Sequence, residues 1–311
     1  MIHRLRAVRV WTCSVVLSTV PATRAADVPA PPRFGGGVEV IRVSVSVTDE
    51  KDRYVGGLPE DAFAVFEDGV RQDLSFFARD ALPLSVALLV DCSASMEQKI
   101  QVAQEAGARF LRALRPGDLA EVVQFNDRVR VLHDWSGDSG ALEEALRTTR
   151  PSGATVLYNA LYVTLKELRT QGTPDVPRRR AVVLLSDGED TASLATEEQV
   201  LELAREAEIA IYAIRLRSDP PMAREREGQG RAKYFLTALA RDTGGQVFFP
   251  DRLGDLQSVY ARIADDLRSQ YTLGYVSSNA ARDGRWRRIL VRTPQNGALR
   301  SRHKLGYYGA R

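Results

Sequence analysis

The stretch LSVALLVDCSAS, residues 84–95, decides the fold of this chain of 311 residues. Its first seven residues are apolar except for one serine, and such a run is typical of a central β-strand that is covered on both faces. Asp91, Ser93 and Ser95 follow the run and offer a carboxylate and two hydroxyls on one short loop. Oxygen ligands of this kind suit a small hard cation such as Mg2+, which keeps part of its water shell. The stretch therefore predicts a buried strand that ends in a cation-binding loop.

The chain after this stretch alternates between strand and helix patterns. Short apolar runs indicate strands, and longer segments with apolar residues at helical spacing indicate helices. This alternation predicts a doubly wound, Rossmann-like α/β sheet with helices on both faces, although the pattern does not give the order of the strands. Two prolines and the alternating charges after them predict a loop over residues 218–231. The predicted strands are 84–90, 120–125, 129–132 (an edge strand), 181–185, 209–214 and 247–249, and the predicted helices are 98–114, 142–146, 157–168, 197–207, 235–241 and 255–270.

The segments that flank this region have strand patterns without helices. Residues 38–47 place apolar side chains at alternate positions, which is typical of a half-buried strand. Residues 63–70 contain an Asp-Gly pair, which favours a tight hairpin. Extended patterns return at residues 271–276 and 288–292. We therefore expect the two flanks to fold together into a small β module.

The first 25 residues have the composition of a secretory signal peptide. Arginines at the start precede an apolar stretch, Val10 to Val20, that is too short to span a bilayer, and small residues then suit cleavage after Ala25. An uncleaved membrane anchor is the alternative. Cleavage predicts a secreted or periplasmic protein without stable membrane insertion. The predicted domains are a signal peptide over 1–25, a Pro/Gly-rich linker over 26–37, an N-terminal β module over 38–79, an α/β domain over 80–270 and a C-terminal β extension over 271–311.

Removal of the signal peptide changes the charge balance. The whole chain has 43 basic and 40 acidic residues, but residues 1–25 contain four arginines and no acidic residue. The mature chain would carry 39 basic residues against 40 acidic ones. It has no basic stripe with interleaved aromatic residues, so nucleic acid is not an expected partner. Of the two cysteines only Cys92 remains, which excludes a disulfide within the mature chain.

Two later segments add oxygen ligands to the loop that begins at Asp91. Thr155 follows Gly153-Ala154, and Asp187 follows the predicted strand 181–185 after one serine. Because ligands of open α/β sheets bind at the carboxyl ends of the strands, the two aspartates should lie on the same rim. Together these residues resemble the metal-ion-dependent adhesion site of the von Willebrand factor type A domain. The set consists of Asp91, Ser93, Ser95, Thr155 and Asp187.

The resemblance covers residues 82–268 and implies a role for each side chain of the set. The two serines would coordinate Mg2+ directly through their hydroxyls, and Thr155 would do so directly or through water. The two aspartates would act mostly through water and by orienting the hydroxyls. Mn2+ or Ca2+ could take the place of Mg2+. For the loop after residue 90 alone, helix capping by Asp and Ser is the structural alternative.

The flanks also resemble known proteins. Residues 57–69 and 267–275 are similar to segments of a bacterial family of secreted proteins related to the type A domain, which implies a location in the bacterial envelope or outside the cell. Hydroxyl ligands neutralise little of the ion's charge, so an open coordination position would favour a carboxylate from outside. The expected function is a protein-binding, adhesion-type module whose partner presents an Asp or Glu side chain.

Two other functions stay open at this point. An envelope assembly or scaffolding protein could use the same metal site only to hold the rim rigid. A hydrolase is disfavoured, because His133 and His303 of the mature chain lie in no catalytic motif. Ser186-Asp187-Gly188 also lacks the pattern of a nucleophile elbow. We therefore expect no enzymatic activity.

Overall fold

The computed structural model describes residues 40–79, 82–170, 178–187, 190–216, 223–294 and 297–310, with the backbone alone for 223–229. The predicted signal peptide and linker lie outside the described residues. No described helix combines the length and the apolar character needed to cross a bilayer.

Fourteen strands and six α-helices are numbered here in chain order. The strands are β1 (Val40–Thr48), β2 (Ala64–Glu67), β3 (Val70–Gln72), β4 (Leu74–Ala78), β5 (Leu84–Asp91), β6 (Leu119–Phe125), β7 (Val129–Ser136), β8 (Arg179–Ser186), β9 (Ala210–Arg215), β10 (Val247–Phe248), β11 (Tyr271–Val276), β12 (Trp286–Arg292), β13 (Arg300–Arg302) and β14 (Gly306–Tyr308). The helices are α1 (Ile100–Arg112), α2 (Ser139–Arg147), α3 (Leu157–Thr170), α4 (Glu197–Ala207), α5 (Ala223–Thr243) and α6 (Leu256–Ser269). Short 3-10 turns lie at Glu60–Ala62, Ala94–Met96 and Leu253–Asp255.

Six of the strands form one mixed sheet in the order β10-β9-β8-β5-β6-β7. Every neighbouring pair in it is parallel except β6 and β7, because β7 runs antiparallel at the edge. Helices α1, α2 and α6 cover one face, and helices α3, α4 and α5 cover the other. This is the doubly wound α/β architecture predicted from the sequence, and the prediction of fold class is confirmed.

Strand β5 is central because its side chains serve both cores. All eight of its residues are buried. Leu88 and Val90 pack in the core under α1 and α6, whereas Ala87 and Leu89 pack in the core under α3 and α4. A strand with two covered faces needs apolar residues at every position, which explains the continuous run in the sequence. Its neighbour β8 runs parallel to it, so the carboxyl ends of the two strands lie side by side.

The flanking segments fold into two four-stranded antiparallel sheets, in the orders β13-β1-β11-β4 and β14-β12-β2-β3. N-terminal strands thus pair with C-terminal ones in both sheets, as predicted for the β module. Val43, Leu273 and Val291 lie in the core that these sheets share. Asp68 and Gly69 form the hairpin turn between β2 and β3 with φ angles of 47° and 86°. A tight two-residue hairpin turn of type I′ needs positive φ at both central residues, and Asp-Gly is favoured in hairpins for this reason.

Buried polar contacts join the β module to the α/β domain. Asp266 of α6 is fully buried and accepts hydrogen bonds from the Ser46 hydroxyl of β1 and from the Arg302 guanidinium of β13. Gln270, directly after α6, donates to the Tyr212 hydroxyl of β9 at 3.0 Å. Because these buried polar groups find partners across the junction, they fix it as well as stabilise it.

The prediction of a loop over residues 218–231 is wrong from residue 223 onward. Helix α5 begins at Ala223 and continues to Thr243, whereas the sequence pattern predicted a helix only over 235–241. Residues 224–227 alternate Arg and Glu, and both residue types have high helix propensity. Their polarity suggests a solvated loop, but a helix can also present such a surface to water.

Candidate metal site at the rim of the central sheet

Asp91, the last residue of β5, is held in place by hydrogen bonds to both of its carboxylate oxygens. Oδ1 accepts from the backbone N–H of Ser93 at 2.8 Å, and Oδ2 accepts from the Ser186 hydroxyl at 2.5 Å. The side chain is fully buried. Because Ser186 is the last residue of β8, the carboxylate links the carboxyl ends of the two central strands.

The hydroxyls of the loop continue this link toward Asp187. The 3-10 turn after Ser93 brings the Ser95 Oγ to 3.0 Å from the Ser93 Oγ. Ser95 Oγ then donates to Asp187 Oδ1 at 2.7 Å. Four of the five predicted site residues are thus joined by hydrogen bonds, through the Ser93 backbone N–H at one end and through side-chain oxygens from Ser93 to Asp187. The capping alternative does not describe Ser95, whose hydroxyl bonds to Asp187 and to Ser93 and caps no helix.

A positive charge already lies against this line. The Lys99 ammonium forms an ion pair with Asp187 Oδ2. The lysine side chain is 15% exposed and the aspartate side chain is fully buried. Charges of opposite sign attract strongly where water is largely excluded, so the rim is a place where a cation is favourable. The sequence pattern did not indicate Lys99, because nothing in its spacing distinguishes it from a surface lysine before a helix.

Thr155, the fifth predicted residue, lies on the loop between α2 and α3 and is 5% exposed. Backbone hydrogen bonds fasten this loop to the loop after β5, from Ser152 N to Cys92 O at 2.8 Å and from Ala94 N to Gly153 O at 3.1 Å. Gly153 has a φ of +74°, and a Cβ there would lie 3.3 Å from the Asp127 side chain, so the position favours glycine. The structure thus brings Thr155 to the rim through its backbone.

Residues after β8 support Thr155 and the start of α3. Thr191 Oγ1 accepts from the backbone N–H of Thr155 at 3.0 Å, and the N–H of Thr191 donates to Thr155 O at 2.9 Å. Asp190 Oδ1 accepts from the N–H of Tyr158 at 3.0 Å in the first turn of α3, where a carboxylate is favourable. Asp190 is half-buried and caps α3, although an acidic residue in a loop looks like a solvated one in the sequence. The acidic residue before it, Glu189, lies outside the described residues.

Burial affects the ionisation of two residues at the junction of β5 and the loop that follows it. It raises the pKa of the Asp91 carboxyl, and the charge of Asp187 adds to the rise, while hydrogen bonds from Ser186 and Ser93 oppose it. Burial also raises the pKa of the Cys92 thiol to about 12. Cys92 is therefore a neutral packed side chain at neutral pH.

The donor set fits a hard divalent cation. It combines two carboxylates with hydroxyls, and an ammonium group already uses one of the carboxylates. The Cys92 sulfur packs in the core instead, and no imidazole belongs to the described rim residues. Such oxygen donors suit Mg2+, Mn2+ or Ca2+ and do not suit a soft metal.

Comparison with known proteins identifies the domain. Residues 86–189 match the sequence model of the von Willebrand factor type A domain. The α/β domain of this chain has the fold of a von Willebrand factor type A domain. Inter-alpha-trypsin inhibitor heavy chain H1 of Sus scrofa is 27% identical over 207 residues, which cover 61% of this chain and 22% of that protein. The chain thus spans about a fifth of the length of this curated relative. A UPF0353 protein of Nocardia farcinica is 22% identical over 220 residues, covering 62% of this chain and 66% of that one.

A solved structure extends the similarity of fold beyond the matched region. The von Willebrand factor type A structure from Catenulispora acidiphila has a TM-score of 0.51 with this chain and 13% sequence identity. It covers 89% of this chain and 76% of its own. At 13% identity, the comparison shows a similar fold and nothing more.

Proposed function

We propose that this protein is a secreted or periplasmic binding module that holds a partner through a divalent cation at the rim of its type A domain. Mg2+ is the proposed ion, and Mn2+ or Ca2+ would also fit the oxygen donors. The observation that supports the proposal most strongly is the chain of hydrogen bonds from Asp91 through Ser93 and Ser95 to Asp187, which joins the ends of β5 and β8. The Lys99 ammonium already lies against the Asp187 carboxylate at its end.

The residues divide into ligands and supports. Ser93, Ser95 and Thr155 would hold the ion through hydroxyls, and the two aspartates would orient those hydroxyls and bind the ion's water. A bound cation supplies a positive charge that these mostly neutral groups leave incompletely neutralised. A carboxylate of a partner protein would therefore be attracted to it. No nucleic acid is involved in this proposal.

Catalysis is not part of the proposed function. Neither histidine of the described residues lies in a rim loop. His133 is on the edge strand β7, and His303 lies between β13 and β14. His303 Nε2 accepts from the N–H of Val291 at 3.0 Å, and its Nδ1 lies 2.7 Å from Lys304 O. Burial lowers the pKa of His303, which further suits it to a structural role.

The binding of a carboxylate can be tested with acetate as the probe. Mn2+ bound at the rim should enhance the relaxation of water protons, and acetate should reduce that enhancement by replacing a bound water. Chloride at equal ionic strength is the control. If Mn2+ binds but acetate leaves the relaxation unchanged, a metal site that only stiffens the rim, as in a scaffolding protein, becomes the better account.

Replacement of Lys99 by methionine tests whether the lysine ammonium group competes with a metal ion at the rim. Removal of the ammonium group should raise the affinity for Mg2+ by about tenfold, because one positive charge a few ångströms away is worth on the order of 1–2 kcal/mol at a partly exposed site. The same change should lower the stability of the metal-free protein, since it leaves the buried Asp187 carboxylate without its ion pair.

Lys51→Met is the matched control, because Lys51 is exposed in the turn after β1. Calorimetric titration with Mg2+ measures the affinity, and urea denaturation without metal measures the stability. Equal or weaker binding of Mg2+ by the Lys99→Met variant would show that the ammonium group does not compete with the ion.

A further inference from the structure

A second group of carboxylates lies in the same domain, outside the rim. Glu121 of β6 is 0% exposed, and neither of its carboxylate oxygens has a hydrogen-bond partner. Among the described residues it is the only carboxylate in this state. A buried polar group without a partner is costly, and a buried charge without one is more so. The position therefore requires either a proton shared with a neighbouring acidic group or a bound ligand.

Two more acidic side chains face Glu121. They are Asp134 of β7 and Glu167 of α3. One carboxylate oxygen from each of the three residues lies within 4.8 Å of the other two. Trp135 Nε1 donates to Glu167 Oε1 at 3.4 Å. The pairing of β6 with β7 shifts register around Val122, beside this point. Strand bulges of this kind redirect side chains and are frequent next to functional sites.

The cluster is open to solvent on one side. Glu121 is buried, Glu167 is half-buried and Asp134 is exposed, so an ion could enter past Asp134 and retain water there. No lysine or arginine of the described residues forms an ion pair with any of the three. Nearby cations are engaged elsewhere, for example Arg169, which pairs with Glu206 at 3.6 Å.

The cluster is distinct from the rim. In the register of the parallel strands, Glu121 lies opposite Ala87, whereas Phe125 lies opposite Asp91. Four residues of strand separate these two levels, which is about 13 Å along the strand direction. Glu121 lies on the same face of the sheet as Val123 and Phe125, because alternate residues of a strand share a face. The side chains of Val123 and Phe125 pack in the core under α3. The two groups of oxygens therefore cannot share one ion.

We propose that Glu121, Asp134 and Glu167 form a second divalent-cation site, which takes Ca2+. Three carboxylates with water on one side give a hard, all-oxygen ligand set of high negative charge. Ca2+ accepts six to eight oxygens in flexible geometry, whereas Mg2+ is usually held by one or two carboxylates. The ion would connect β6, β7 and α3 and would satisfy the oxygens of Glu121. This proposal does not depend on the proposed function of the rim.

The ionisation of Glu121 is consistent with such a site. Burial raises its pKa to about 8, and the neighbouring charges of Glu167 and Asp134 add to the rise. Without an ion, the group would keep a proton at neutral pH. A divalent cation would displace that proton and replace one positive charge by two.

Thermal unfolding of the metal-stripped full chain provides the first test. We expect Ca2+ to raise Tm by several degrees at pH 7.5, because an ion that binds only the folded state stabilises it. Glu121→Gln keeps the shape of the side chain and should remove most of this shift. Asp91→Ala at the rim should keep the shift, which separates this site from the other one. Because Ca2+ could also bind at the rim, the decisive comparison adds Glu121→Gln to Asp91→Ala: a Ca2+ shift that survives in this double variant, or no shift in Asp91→Ala alone, would overturn the proposal.

Terbium luminescence provides a second test that needs no change to the carboxylates. Tb3+ replaces Ca2+ in oxygen sites, and Trp135 lies close enough to Glu167 to sensitise its emission. We expect sensitised emission that Ca2+ displaces and that Trp135→Phe abolishes, while Trp286→Phe in the β module leaves it intact. If the carboxyl groups of Glu121 and Glu167 instead share a proton, the protein gives no sensitised emission from Trp135, and the cation site is disproved.

Discussion

Replacement of Asp91 by alanine is expected to weaken Mg2+ or Mn2+ binding at the rim by about 100-fold or more, the upper range for loss of a group that orients metal ligands. The carboxylate accepts from the Ser93 N–H and the Ser186 hydroxyl, so its removal releases the loop that carries both serines. It also removes one of the two negative charges of the site. Calorimetric titration of the metal-stripped variant measures the change.

Two controls accompany this prediction. Asp127→Ala removes an exposed carboxylate on the neighbouring loop and should leave the affinity unchanged. Asp91→Asn keeps the shape of the side chain, so it separates loss of the ion from loss of the fold. Unchanged Mg2+ affinity in both Asp91 variants, with native circular dichroism, would mean that the ion does not depend on this carboxylate.

Replacement of Glu67 by alanine is expected to lower the free energy of unfolding by about 4 kcal/mol, as is typical when one partner of a buried ion pair is removed. Glu67 is 2% exposed at the end of β2 and lies 3.5 Å from the Arg287 guanidinium, whose side chain is 5% exposed. The hydroxyls of Tyr275 and Tyr307 both donate to Glu67 Oε2 at 2.9 Å. The Ser277 hydroxyl donates to Glu67 Oε1 at 2.6 Å. Alanine would leave these four donors of the β module without their carboxylate acceptor.

Urea denaturation measures this loss of stability. The matched control is Glu50→Ala in the exposed turn after β1, which should change stability by no more than about 0.5 kcal/mol. If Glu67→Ala unfolds at the same urea concentration as the control, the two antiparallel sheets do not depend on this network.

The architecture could be predicted where the order of residues along a short segment directly reflects its burial or its turn. The apolar run over 84–90 identified β5 as a strand covered on both faces, and the Asp68-Gly69 pair identified the hairpin of β2 and β3. Strand order could not be predicted, because it depends on which helix packs on which face. The start of α5 was placed too late, since a charged helix and a charged loop have similar compositions.

For the candidate site, the sequence placed the two aspartates on one rim but could not identify their partners. Strand ends are readable from an apolar run, so Asp91 and Asp187 could be assigned to neighbouring loops. Lys99 and Thr191 contact the site through turns whose geometry has no sequence signal. The metal role of the site stays a prediction.

Buried polar networks were beyond sequence analysis for the same reason. Glu67 precedes a turn signal in the chain and looks like a surface residue, yet its partner Arg287 is 220 positions away. Glu121 lies in a predicted strand beside Ala120 and Val122 and gives no sign that other carboxylates will meet it. Only the packing of β7 and α3 against β6 reveals the cluster.

The most direct test of the central proposal is a crystal structure of the protein grown with Mn2+, analysed by anomalous scattering. We expect an anomalous peak at the rim, about 2.1 Å from the hydroxyl oxygens of Ser93 and Ser95, a metal–oxygen distance typical of a small hard cation. We also expect the Lys99 ammonium to have moved away from Asp187. A map without a peak at the rim, with Lys99 still bound to Asp187 at saturating Mn2+, would contradict the proposal that this domain binds its partner through a metal ion.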